Sequence, residues 1–345
     1  MRAPLSDLGL AHPVLAAPMA GGGTTPALVV AAARSGSFGF LAAGYKTPAA
    51  LADQIHEVSQ QTPTFGVNLF APNPVPADPA EFRRYAAALQ PEADRYGIDL
   101  RGAAPVADDD GWADKVGLLL ERPVPLVSFT FGLPDPATIA ALRRAGTITV
   151  QTVTSAAEAK AAQDAGVDVL AVQASAAGGH SATLTPERLP ADVPLPELVA
   201  RVRAVTDLPV IAAGGVGTPA DVAAALGAGA DAVMVGTVLL RSEESGASAV
   251  HQAALADPGR GPTILTRSFT GRPARALPNR FTSAYHAIAP AGYPAIHHLT
   301  STLRKTAAAA GDPELVHLWA GTAHRQATPA PAATTLTHLA EGAGA

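Results

Sequence analysis

Along the chain, short runs of continuously apolar residues alternate with Ala-rich segments of helical length. The runs are Leu15 to Ala17, Phe38 to Ala42, Phe65 to Leu69, Pro125 to Phe129, Ile148 to Gln151, Val169 to Gln173, Pro209 to Ala213 and Ala232 to Val235. A strand that is apolar on both faces must be covered on both faces, as in a parallel sheet wrapped by helices. Eight such strands predict an α/β fold, a closed (β/α)8 TIM barrel, with an open doubly wound sheet as the rival architecture.

Ala165-Gly166-Val167-Asp168 ahead of the sixth strand is echoed by Ala228-Gly229-Ala230-Asp231 ahead of the eighth. In each copy a Gly follows an Ala-rich helix, where a residue tolerant of positive φ ends the helix at least cost. The longest apolar stretch, Val222 to Leu240, contains Asp231 and two glycines and reads as a helix followed by a strand, not as a membrane span.

The barrel is expected over 1–256, with a Pro- and Asp-rich insertion at about 71–123 lengthening the loop after the third strand, where long loops roof active sites. Beyond Ala256 no clear strand run remains. A smaller, mainly helical accessory region is expected over 257–326, with helices at Thr302–Ala310 and Pro313–Ala320. The Pro/Ala/Thr-rich stretch 327–345 is expected to be a frayed tail.

Composition narrows the partners. The 345 residues are 48% hydrophobic and 15% charged, enough apolar material for one large core. With 24 Lys+Arg against 29 Asp+Glu, the net charge of −5 offers no footprint for nucleic acid or an anionic membrane. The absence of cysteine excludes disulfides, thiolate metal ligands and a covalent Cys intermediate. Met1 to Gly23 is interrupted by Asp7, Pro13 and Pro18, so no targeting segment is read, and a cytoplasmic setting is expected.

Candidate chemistry gathers at the strand ends. Gly214, Gly215 and Gly217 follow the seventh strand, and Gly236-Thr237 follows the eighth. Exposed backbone N–H groups just before a helix start make an anion site, and barrels commonly hold a phosphate there. Gly215-x-Gly217-x-x-Ala220 mimics a dinucleotide fingerprint, but that motif belongs in a first βα turn. Gln173 through His180 follows the sixth strand, and Gly178 and Gly179 let backbone approach a ligand beside His180, a candidate acid/base. Ala17-Pro18-Met19, Asn68 and Gln151 end the first, third and fifth strands, and uncharged amides suit the edge of a heteroaromatic ring. Lys46 at the end of the second strand is a candidate contact for a substrate carboxylate, though such a lysine is more often a solvated surface residue. Asp108 to Asp110 reads as a solvated loop. No metal-ligand spacing, Walker loop or nucleophile elbow occurs.

Ala17 to Gly22, Gly66-Val67-Asn68, Gln173 through His180, Ile211 to Gly217, Met234-Val235-Gly236-Thr237 and Arg267 to Arg275 together resemble the nitronate monooxygenase family over nearly the whole chain. The resemblance implies bound FMN, held by Asn68, Gln173, Gly178, Gly215 and Met234 to Thr237, with His180 on the catalytic histidine. It implies oxidation of an alkyl nitronate, propionate 3-nitronate among them, to a carbonyl compound and nitrite with O2 and without NAD(P)H. His180 would be the base for neutral nitroalkanes. The chain departs from the family pattern at Ala174, Ala176 and Ala182, positions that bear on substrate choice. Two alternatives stand: an FMN-dependent NAD(P)H:quinone or enoyl-thioester reductase, and a flavin-free sugar-phosphate-binding barrel. The oligomeric state is open, a homodimer included.

Overall fold

The computed structural model describes Leu5 and residues 10–344; the reading of Met1 to Gly23 as free of a targeting segment falls partly on 1–4 and 6–9, outside the described residues. The strands are β1 Val14–Ala16, β2 Gly39–Ala42, β3 Phe65–Ala71, β4 Leu126–Phe131, β5 Ile148–Val153, β6 Val169–Gln173, β7 Gly179–His180, β8 Val210–Ala213, β9 Ala232–Val235, β10 Ile264–Thr266 and β11 Ala274–Ala276. The helices are α1 Pro26–Arg34, α2 Pro48–Ser59, α3 Pro79–Asp94, α4 Trp112–Glu121, α5 Pro136–Arg144, α6 Ala156–Ala165, α7 Leu195–Arg203, α8 Pro219–Gly227, α9 Ala249–Ala256, α10 Arg280–Tyr285, α11 Ala295–Ala309 and α12 Ala332–Ala340.

Local chemistry cuts the chain at these points. Thr25, Thr47, Asp78, Asp135 and Thr218 each cap a helix whose first residue is proline, so the side-chain oxygen takes an orphan N–H while proline presets φ. The repeated Ala-Gly-x-Asp works at the other end of the helices. Gly166 and Gly229 turn the chain at φ 92° and 104°. Asp168 Oδ2 then accepts from Thr149 N at 2.9 Å, and Asp231 Oδ2 from Val210 N at 2.7 Å, tying each turn to the start of the preceding strand.

Strands β1-β2-β3-β4-β5-β6-β8-β9 form one closed parallel barrel, and β9 returns to β1 in the register Val14↔Val233, Leu15↔Met234, Ala16↔Val235. That closure excludes the open doubly wound sheet. Inside the barrel, Leu15, Phe40, Leu126, Val150, Val169 and Ile211 are fully buried. A second apolar layer covers the outer face of the strands beneath the helices. Among the described residues no helix is long and apolar enough to cross a membrane.

Three expectations for the C-terminal part are corrected. First, β10 and β11 form a three-stranded antiparallel sheet with β7. Strands of two or three residues leave no alternation to detect, so they were invisible as a run. Second, α11 begins at Ala295 rather than Thr302, and of the helix expected at Pro313–Ala320 only a 3-10 turn, Pro313–Leu315, forms. Third, the tail is not frayed over its described residues. α12 packs into the same core as Leu28 of α1 and Val222 of α8, with Ala332, Leu336 and Leu339 at most 1% exposed. It supplies the outer helix that follows β9, after an excursion of 96 residues, 236–331. That excursion and α3 share an apolar layer, Phe82, Tyr85 and Leu89 against Phe269, Phe281 and Leu303. The layer lies beside the C-terminal ends of the strands, where Tyr85 Oη donates to Ser268 O at 2.6 Å.

Candidate active site

The turns after β8 and β9 contain unspent donors. The backbone N–H groups of Gly214, Gly215, Val216, Gly236 and Thr237 donate to nothing among the described residues. Gly214 and Gly215 take φ of 108° and 82°, a left-handed backbone that glycine adopts freely. Unpaired N–H groups on loops leading into α8 and into the turn after β9 form an anion cradle. Gly217 is arranged differently: its N–H, with Thr218 N, is bound to the Asp221 carboxylate. Gly217 instead admits the C-terminal chain, since a Cβ there would lie 2.7 Å from Ala323 Cβ.

Residues absent from the sequence reading line the cradle. Thr322 N donates to Ala176 O at 3.0 Å, and Gly321 N donates to Thr237 Oγ1 at 2.9 Å. Segment 319–323 therefore lies against both glycine turns. No local pattern marks it, because the contact spans more than eighty residues.

The amides at the strand ends divide into two kinds. Gln151 is fully buried; its Nε2 donates to Gly132 O and Thr152 O, and its Oε1 accepts nothing. Such an orphaned acceptor inside a barrel mouth asks for a ligand N–H. Asn68 Nδ2 donates to Ser128 Oγ and Thr130 Oγ1, both at 2.9 Å. Gln173 is committed to the protein: Oε1 accepts from Ala182 N at 2.8 Å and Nε2 donates to His180 O at 3.3 Å, bracing the histidine loop. Ala17 and Met19 lie within 4 Å of where a Gly236 side chain would start, next to Pro18 and at the ends of β1 and β9. Met234 and Val235 are buried strand residues.

His180 stands on β7, held by the ladder of Gly179 with Arg275. Its Nε2 is 2.9 Å from Thr270 Oγ1, and Nδ1 has no partner among the described residues. The ring is walled by Phe131, Tyr293 and Trp319 at centroid distances of 5.5, 5.9 and 5.3 Å. Removal from water, reinforced by the guanidiniums of Arg272 and Arg304, pulls His180 down to about 3, so it is a neutral imidazole.

Arg272 is fully buried, donates to the carbonyls of Ser181, Thr183 and Asn73, and lies 4.1 Å from the Phe131 ring centroid. Neither it nor Arg304, 4% exposed, has a carboxylate partner among the described residues. Two uncompensated guanidiniums raise the potential around His180 and favour an anion there. Phe131 and Tyr45 adopt positive φ, 81° and 67°, uncommon for bulky residues and a form of strain found at functional sites. The Lys46 ammonium donates to Ala42 O at 2.7 Å, and burial and the Lys115 charge lower its pKa. A throat of about 60 Å³, lined by Phe70, Asn73, Asp108, Asp110, Phe131 and Tyr293, adjoins His180 through Phe131 and Tyr293.

A sequence profile of the family described as nitronate monooxygenase matches residues 2–342. A Staphylococcus aureus (strain Newman) protein named "Probable nitronate monooxygenase" is 35% identical over 337 residues, 96% of this chain and 94% of that one. The solved nitroalkane oxidase from Streptomyces ansochromogenes is 44% identical with a TM-score of 0.92, covering 99% of this chain and 97% of that chain. FabK from Thermotoga maritima is 25% identical with a TM-score of 0.75, covering 99% and 96%. With a match spanning almost its whole length, the chain belongs to the nitronate monooxygenase family and is an oxidoreductase.

Proposed function

We propose that the protein binds FMN and oxidises nitroalkanes and their alkyl nitronates to a carbonyl compound and nitrite, with O2 as acceptor and without NAD(P)H. The observation that carries this reading is a neutral His180 at the barrel mouth, beside an anion cradle and two carboxylate-free guanidiniums. A flavin mononucleotide fits the donors present: its phosphate at the N–H groups of Gly214 to Val216 and Gly236-Thr237, and a ring N–H at the orphaned Gln151 Oε1. Gly178, Asn68, Met19 and Met234 complete that site. The flavin would supply the electron-accepting centre.

The chain's own part is proton and charge handling. When Thr270 Oγ1 donates to Arg272 O, His180 Nε2 must hold the ring proton and Nδ1 carries the lone pair. Nδ1 can then take the α-proton of a neutral nitroalkane. The nitronate formed is an anion, and the fields of Arg272 and Arg304 stabilise it. With Lys46 bound to Ala42 O and aspartates on the throat, the proposed substrates are simple alkyl nitro compounds rather than propionate 3-nitronate.

Purified protein mixed anaerobically with nitroethane, ethyl nitronate or NADH tests this. Flavin bleaching by the nitro compounds and not by NADH is expected. Bleaching by NADH alone would replace this reading with a reductase, and protein that holds no flavin would end it.

A further inference from the structure

Helix α11 places a second imidazole, His297, against Tyr293, which also walls His180, and its tautomer is fixed by a neighbour. The Arg304 guanidinium donates Nε to Thr300 Oγ1 at 3.0 Å, Nη1 to His317 Nδ1 at 3.0 Å, and Nη2 to His297 Nδ1 at 3.3 Å and His297 O at 3.1 Å. A guanidinium has only donors. Both Nδ1 atoms must therefore be lone pairs, and each neutral ring must carry its proton on Nε2. His297 Nε2–H has no partner among the described residues, yet the half-buried ring is firmly placed. Tyr45 stacks on it at 4.4 Å with planes 3° apart. Tyr293 meets it edge-on at 6.2 Å, and the same Tyr293 ring meets His180 at 5.9 Å. One tyrosine thus neighbours both a ring that can accept a proton and a ring held as a donor.

We propose that His297 Nε2–H donates the hydrogen bond that holds a nitro oxygen of the substrate, and that Arg304 is the positioning residue that keeps this proton on Nε2. The inference rests on the nitroalkane reading above. In the step concerned, the substrate Cα–H bond breaks and its proton goes to His180 Nδ1. The electron pair becomes the C=N bond of the nitronate, and the negative charge settles on the nitro oxygens. His297 donates a hydrogen bond to one of them without giving up its proton. A neutral imidazole suits this role, because an imidazolium would hand its proton to the nitro oxygen and convert the nitronate to its nitronic acid. Burial and the charge of Arg304 hold His297 down to about 2, so the cationic form does not intervene. Arg304 thus both orients the donor and keeps it neutral.

Three variants of the purified flavoprotein, with a spectroscopic readout, test this. His297→Phe keeps an aromatic ring on Tyr45 and removes the donor; kcat/KM for neutral nitroethane should fall about 10²-fold with flavin content unchanged. His297→Gln places an amide N–H near the lost Nε2–H and should recover most of that loss. Side-chain 15N shifts should show His297 protonated on Nε2 in the wild type, and a mixture of tautomers in Arg304→Met. Wild-type turnover of nitroethane by flavin-loaded His297→Phe would overturn the proposal. So would a wild-type His297 protonated on Nδ1, a result that does not require any variant to fold. If the wild-type protein oxidises no nitro compound, the nitroalkane reading itself falls and takes the donor role with it, which is distinguishable because it is seen before any variant is made.

Discussion

Gly178 and Gly321 approach so closely that a methyl group added to Gly178 would lie 2.5 Å from the Gly321 amide nitrogen and 2.8 Å from Thr237 Oγ1. The obstacles are backbone and a bound hydroxyl, so the C-terminal segment must move. Gly178→Ala should destabilise the protein by about 1–3 kcal/mol, as overpacking does, and should also weaken FMN retention. Thermal melts and the flavin-to-protein ratio after gel filtration measure both. Wild-type values for the two would show that this contact does not shape the cradle.

Gly236 separates charge from bulk. A Cβ there meets only Ala17 and Met19 at ordinary contact distances of 3.4 Å or more, so Gly236→Ala should keep its flavin. Gly236→Asp adds a carboxylate where unpaired N–H groups wait for an anion, and apo-protein should accumulate. Equal flavin content in the two variants would mean that no phosphate sits at this turn.

His180→Asn keeps much of the size of the ring and removes the base. A positioned base contributes roughly 10²–10⁴-fold, so turnover of neutral nitroethane should fall by that factor. Ethyl nitronate has already lost the proton and should be affected far less. Steady-state rates with the two substrates compare them, and an equal loss on both would assign His180 to anion binding instead.

The pH dependence follows from the same ring. A base works in its unprotonated form, above its pKa, and that of His180 is held down to about 3 by burial and by Arg272 and Arg304, while His297 and His317, both bound by Arg304, are neutral as well. kcat/KM for nitroethane should therefore persist down to about pH 5, whereas an ordinary histidine would lose its base form near pH 6.5. A titration near pH 6.5 in the rate profile would contradict the neutral, shielded ring.

At the other end of the chain, Leu336 of α12 is fully buried against the core shared with α1 and α8. Leu336→Ala should cost about 2–4 kcal/mol, the range for a buried leucine that leaves a cavity. Urea unfolding reads this directly, and a change below about 0.5 kcal/mol, typical of a surface site, would return the tail to the frayed state.

The barrel was legible because a strand covered on both faces has no polar positions, so eight apolar runs stand out from the helices between them. His180 and the glycine turns were legible because they follow those runs directly. The roles of Arg272, His297, Arg304 and Thr322 were not, since Arg272 stood only within a stretch that matched the family and the others reach this region from an excursion without strand-like runs. For Gln173 and Gly217 the local pattern did not show their bonds within the protein, to Ala182 and His180 and to Asp221. α12 was hidden by composition, because Pro, Ala and Thr suggest a loose end while two leucines three residues apart are enough to seal it.

Thr322 at the cradle and Leu336 in the outer ring belong to one uninterrupted strip of chain, fourteen residues apart. That strip works as a clasp. Whatever fastens it at one end lowers the entropy lost in fastening the other, so an anion docked at the cradle would be thermodynamically linked to completion of the ring. A flavin held there would act at a distance as part of the fold, tightening a helix it never touches.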